Sequence, residues 1–202
     1  MKTTRIVNGK IITPFRIIPC GEVAISEGKI VGINERKVCL PGNGDIDASG
    51  MYVSPGFIDI HVHGGGGHDF MDGEVEGFLK IAALHARHGT TTIVPTTLTS
   101  DTERLLQTLD VYESVLLRRE PGAEMLGLHL EGPYFAMNQR GAQDPRFIRD
   151  PDPREYREIL KRAHLIARWS AAPERKGAME FGRCLRENGV LAAIAHSDAV
   201  YE

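Results

Sequence analysis

From Phe57 onward, short apolar runs alternate with longer amphipathic stretches, and this rhythm constrains the fold more than any other feature of the chain. Parallel strands need crossovers of a dozen or more residues, usually helical, so the pattern reads as βα units on a parallel sheet. The predicted strands are residues 57–63, 90–96, 125–130, 167–172 and 190–196. The predicted helices are residues 74–88, 101–119, 154–164 and 177–188. Ser100 with Glu103 reads as a capping box, and Asp152-Pro153 with Glu155 as an N-cap, an N1 proline and an N3 acid. Gly89 and Gly189 stand where helices end.

Residues 1–54 have a different texture, short β-like runs separated by turn signals. Val23 to Ile33, with Glu27-Gly28 at its centre, reads as a hairpin, and residues 40–45 as a further turn. The segment is expected to form a small β-sandwich-like module, and Ser54-Pro55-Gly56 marks its boundary with residues 55–202. The α/β remainder reads as an incomplete (β/α)8 TIM-type barrel, an arc of five strands out of eight that stops after strand five. An open doubly wound sheet is the alternative. It lacks support in the first strand-to-helix turn, where no G-x-G-x-x-G with a downstream acid occurs.

Composition excludes several function classes. With 202 residues, 42% of them hydrophobic and a formal charge of −3, the chain has material for a core and no basic stripe to track a phosphate backbone. Nucleic acid is not an expected partner. No apolar run approaches the roughly 20 residues of a membrane span, and the N-terminus lacks a secretory signal, so a cytoplasmic location is expected. Cys20, Cys39 and Cys184 are widely spaced and odd in number, which reads as small buried hydrophobes. Any metal must therefore use nitrogen and oxygen ligands.

In parallel α/β sheets ligands sit beyond the carboxyl ends of the strands. The first predicted strand ends in His61-Val62-His63 before Gly64-Gly65-Gly66-Gly67. Alternation puts both histidines on one face, with Cα atoms about 6.6 Å apart, where two imidazoles can converge on one cation. An isolated pair of this kind reads equally well as half-buried polar residues. The third strand ends in His129-Leu130-Glu131-Gly132-Pro133 and the fifth in Ala195-His196-Ser197-Asp198, so a carboxylate and a further histidine gather at the same mouth. That set suits zinc or iron. His129 lies deeper in its strand and reads as a buttress. His85, His88 and His164 fall on predicted helices, and His68 and Asp69 in a solvated loop. The threonines around residues 90–99 read mostly as strand formers, with those at the carboxyl end able to bond a substrate. Trp169 reads as packing, and Glu174 as a helix-start residue or one facing the mouth.

These residues resemble the amidohydrolase superfamily. Residues 55–64 are similar to its first-strand signature; residues 129–134, Arg140-Gly141-Ala142-Gln143 and residues 195–199 are similar to the N-acetylglucosamine-6-phosphate deacetylase family within it. The resemblance spans essentially the whole chain. It implies one or two divalent ions, zinc or iron, held by His61, His63, Glu131 and His196, with Glu131 able to bridge. It implies sugar contact by the backbone at Gly141 and Ala142, and by Gln143, where some members carry histidine. Asp198 takes a position often held by asparagine. The implied reaction removes the acetyl group from a small phosphorylated amino sugar, in a homodimer at full length. The family's catalytic aspartate, a further ligand histidine and most phosphate contacts are expected beyond Glu202, so the chain alone is expected to be inactive. Many related hydrolases of cyclic amides or nucleobases bridge two metals with a carboxylated lysine instead. A non-catalytic metal-binding fragment is the other alternative.

Overall fold

The computed structural model describes residues 3–38 and 41–201. Its contacts divide the chain into two compact units, Met1–Gly56 and Phe57–Glu202.

The first unit is one mixed sheet. β1 (Thr3–Ile12) pairs antiparallel with β2 (Ile17–Ser26), which pairs antiparallel with β3 (Lys29–Asn34). The two-residue strands β4 (Ile46–Asp47) and β5 (Tyr52–Val53) run parallel to β1. The β2–β3 turn is the expected hairpin, with Glu27 and Gly28 both at positive φ, as a two-residue turn matching strand twist requires. A sandwich does not form among the described residues: every strand of the unit joins the same sheet, and its core is the small cluster Ile11, Ile18 and Val23. Of the expected turn at residues 40–45, Leu40 lies outside the described residues; Asp45 N–H donates to the Gly42 carbonyl.

The second unit follows the βα rhythm. β6 (Phe57–Val62) leads into a two-residue hairpin of β7 (Gly64–Gly65) and β8 (His68–Asp69), then α1 (Val75–Arg87), β9 (Thr90–Pro95) and α2 (Thr102–Leu116). β10 (Glu124–Met125), β11 (Leu128–Glu131), α3 (Pro153–Leu160), β12 (Ile166–Ala171), α4 (Ala178–Glu187) and β13 (Leu191–Ile194) follow. The strands form two parallel sheets, ordered β10-β9-β6 and β11-β12-β13, linked by a parallel bridge between Thr96 and His129. They make no closed barrel among the described residues.

Amphipathic helices cover one face. Leu105, Leu109, Tyr112 and Val115 of α2 recur at helical spacing and enter a core with Phe78, Ile81, Tyr156, Phe181 and Leu185. Strand alternation divides β11 and β12: Leu128, Leu130 and Trp169 face that core, so His129, Glu131, Arg168 and Ser170 take the other face.

Local details differ from expectation. Asp101, not Ser100, caps α2: its carboxylate accepts the Arg104 N–H at 2.8 Å, while the Ser100 hydroxyl is buried without a partner. Asp152 caps α3 as expected. The third predicted strand is broken between β10 and β11, where Gly127 takes φ 117°. α3 stops at Leu160, and His164 lies in the separate short 3-10 turn Ala163–Leu165. Cys20 and Cys184 are half-buried rather than core residues, and Cys39 lies outside the described residues. Phe57, Ile58 and Ile60 are exposed, because among the described residues β6 pairs only with β9.

Candidate metal centre

The strand ends bring their polar residues together. His61 and His63 leave β6 on one face, and their Nε2 atoms lie 3.2 Å apart. The chain can turn sharply after them because the β7–β8 hairpin is tight: a Cβ on Gly64 would fall 2.1 Å from the His68 carbonyl oxygen. Glu131, 4% exposed at the end of β11, faces both rings, with Oε1 3.4 Å from His61 Nε2 and Oε2 3.3 Å from His63 Nε2. Ligand atoms of these three residues all lie within 4.8 Å of one another.

His196 reaches the same carboxylate from beyond β13. Its Nε2 is 3.3 Å from Glu131 Oε1, and its Nδ1 is 2.7 Å from the Gln139 carbonyl. A carbonyl only accepts, so Nδ1 carries a hydrogen and Nε2 is the atom left to face Glu131. The segment after β13 is tied down by Glu174, whose carboxylate accepts from Ser197 Oγ at 2.8 Å and Asp198 N–H at 2.6 Å. Glu174 therefore supports the loop that carries His196.

The electrostatics follow from this crowding. Burial pushes the Glu131 carboxyl up, but His63, His61 and His196 outweigh it and bring the group down to about 2. Glu131 raises His63, while burial lowers His61. Three imidazole Nε2 atoms directed at one carboxylate bring acceptors face to face unless a proton or a metal cation lies between them. The nitrogen and oxygen donors fit a divalent transition ion. Both rings of the histidine pair share a buried carboxylate with a third histidine.

His129 does not join the cluster as a ligand. Arg168 Nη2 donates to its Nδ1 at 3.0 Å, which leaves Nε2–H to donate to Ser170 Oγ at 2.6 Å. Burial, reinforced by Arg168, pushes its pKa down to about 3, so the ring stays neutral as it packs edge-on against His61 at 5.0 Å. Arg168 passed unnoticed in the sequence; its signal was only its alternation with Trp169. The carboxyl-end threonines serve the scaffold: Thr96 Oγ1 accepts from Val62 N–H at 3.2 Å, and Thr97 Oγ1 from Glu131 N–H at 3.2 Å.

Gly141, Ala142 and Gln143 lie on the loop after the 3-10 turn Met137–Gln139. Gly141 takes φ 57° beside His196, where an added Cβ would be 3.7 Å from the ring. Ala142 lines a cleft with Asp69, Arg104 and Arg146. Gln143 is 5% exposed and bonded to Glu131 and Thr99. His68, His85 and His88 lie outside the cluster; His85 Nε2 is 3.3 Å from the Gly64 carbonyl.

Known proteins share this arrangement of sequence and fold. The amidohydrolase family profile matches residues 52–180. The N-acetylglucosamine-6-phosphate deacetylase of Bacillus subtilis (strain 168) is 33% identical over 94% of this chain and 49% of its own length. The N-acetylgalactosamine-6-phosphate deacetylase of Escherichia coli O157:H7 is 31% identical over 90% of this chain and 47% of its own. Among solved structures, a Mycobacterium smegmatis N-acetyl-D-glucosamine-6-phosphate deacetylase variant in complex with N-acetyl-D-glucosamine-6-phosphate superimposes with TM-score 0.86 and 30% identity, over 100% of this chain and 51% of that one. The Thermotoga maritima N-acetylglucosamine-6-phosphate deacetylase gives TM-score 0.79 at 30% identity, over 96% and 49%. The chain thus spans about half the length of the relatives it matches. With its histidine pair inside the matched region, the chain belongs to the amidohydrolase family.

Proposed function

We propose that this chain forms the metal-holding part of a hydrolase that removes the acetyl group from N-acetylglucosamine 6-phosphate, giving glucosamine 6-phosphate and acetate. The observation that carries the reading is the convergence of His61, His63 and His196 on Glu131. Support for the substrate comes from the deacetylases at 30–33% identity. The five strands are read as the first arc of a (β/α)8 barrel, with the metal ligands at its mouth.

His61, His63, Glu131 and His196 would hold one or two ions, zinc or iron. When bound, such a cation supplies Lewis acidity toward the amide carbonyl and lowers the pKa of water. Glu131 stays ionised at neutral pH, which suits a ligand that must be anionic. His129, held neutral by burial and by Arg168, keeps His61 in place without adding charge. The backbone at Gly141 and Ala142 would orient the sugar next to His196. No described residue is assigned the proton transfer, which this reading leaves to an aspartate in the remainder of a protein of the relatives' length.

Metal analysis tests the site. The chain should retain a divalent ion after dialysis, and His61→Ala and Glu131→Ala should lose most of it; full retention in both would overturn the ligand assignment. Acetate release tests the reaction, using a polypeptide of the relatives' length that begins with this chain. Both 6-phosphate epimers are tried, since the galactosamine deacetylase is of similar identity, and dihydroorotate and hydantoin serve as competitors. Turnover of those rings without acetate release would overturn the reading.

A further inference from the structure

Gln143 is almost fully buried, and both ends of its side-chain amide are taken. The Thr99 main-chain N–H donates to Oε1 at 2.7 Å. That bond fixes which way the amide faces, because an N–H needs an oxygen opposite it. Nε2 then donates to Glu131 Oε2 at 2.9 Å. Family resemblance places a substrate contact at this position, whereas both bonds here run to the protein.

The geometry assigns Gln143 as a positioning residue for Glu131. The terminal torsion of a glutamate is broad and roughly two-fold, so the carboxylate needs an external hold to keep one orientation. Gln143 supplies it by occupying a lone-pair direction of Oε2. Oε1 is thereby kept toward His61 and His196, at 3.4 and 3.3 Å. The hold is anchored in backbone, since Thr99 stands two residues before Asp101, the α2 cap, and its hydroxyl also reaches the Glu131 carbonyl at 3.5 Å. Gln143 acts through Glu131, since both of its amide bonds run to Thr99 and Glu131. The assignment rests on reading the cluster as a divalent-cation centre.

The test uses the purified chain, stripped with a chelator and titrated with Co2+, followed by its visible absorption, and with Zn2+ against a chromophoric chelator. Gln143→Met removes the donor at nearly constant volume. It should weaken metal binding by roughly 10–100-fold, the usual cost of losing a hydrogen-bond partner behind a ligand, and shift the Co2+ bands. Equal affinity and an unchanged spectrum would overturn the assignment while leaving the cation centre intact. A lower melting temperature of the metal-free variant with an unmoved Co2+ spectrum would also overturn it, since that is a merely structural effect. No metal binding by the wild-type chain would overturn the cation reading and the assignment with it. Should Gln143→Met fail to fold, the wild-type chain decides by NMR. Its Gln143 side-chain NH2 pair, assigned by its loss in a Gln143→Glu variant or by eliminating those of Gln107, Gln139 and the five asparagines, should exchange on the order of tenfold more slowly than that of exposed Gln107 and move when Zn2+ is added. A fast-exchanging, unmoved pair would overturn the proposal.

Discussion

Gly132 follows Glu131 directly, and replacing it with alanine is a sharp test of the packing behind the carboxylate. Gly132 sits at φ 91°, and a Cβ built there falls 2.3 Å from Thr99 Oγ1 and 2.9 Å from Phe135 Cε2. Neither neighbour is free to retreat. Phe135 is fully buried, and Thr99 is 5% exposed with its N–H committed to Gln143. The left-handed backbone costs a non-glycine residue about 1–2 kcal/mol, and forcing a methyl into a packed site costs about 1–3 kcal/mol. The sum is about 2–5 kcal/mol, equivalent to a melting-point drop on the order of 5–15 °C for a chain of this size. Urea unfolding followed by fluorescence is the natural assay, because the single tryptophan, Trp169, donates its indole N–H to the Gly132 carbonyl at 2.7 Å. Gly182→Ala is the matched control. Gly182 lies inside α4 with no atom within 4 Å of its would-be Cβ, so alanine there should stabilise by about 0.5–1 kcal/mol through helix propensity. A loss below about 1 kcal/mol for Gly132→Ala, or an equal loss for both variants, would refute the reasoning.

Three further outcomes are expected. Trp169→Phe leaves the buried Gly132 carbonyl without its donor and should cost about 1–3 kcal/mol in urea unfolding followed by circular dichroism. Glu174→Ala releases Ser197 and Asp198, so metal affinity measured by chelator competition should fall several-fold, on the order of other supporting-residue losses, with little change in metal-free melting. The third concerns acid stability. Burial raises the Glu155 carboxyl, yet Arg149 and Thr102 outweigh it and hold the group below its ordinary value of 4.5. A carboxyl lowered in the folded state contributes stability that is present above its unfolded value and is lost as pH falls through its folded one. Melting temperature should therefore drop below about pH 4.5 in the wild-type chain, and less steeply in Glu155→Gln; parallel profiles would contradict the sign.

Much of the candidate site was legible because its signals are local. Two-residue alternation alone put His61 with His63, and His129 with Glu131, on shared faces, and the expectation that ligands gather at strand ends nominated His196. The roles of Arg168, Thr99 and Glu174 were not legible in this way. Each acts across a long sequence separation, as in Arg168 to His129 or Thr99 to Gln143, and no periodicity encodes such a partner. Ser100 and Asp101 show the same limit at short range: both are good caps, and the backbone geometry of the turn chose Asp101.

The order of strands and helices after Phe57, the hairpin at Glu27-Gly28 and the residue types of a candidate nitrogen and oxygen metal centre follow from the sequence by itself, because periodicity and turn chemistry are properties of neighbouring residues. Tertiary structure alone decided that three imidazoles meet one carboxylate, that His129 is a neutral support, and that Gln143 is buried against Glu131. Those outcomes depend on which strands come to lie side by side. Parallel pairing sets that register through contacts tens of residues apart, beyond the reach of any local pattern.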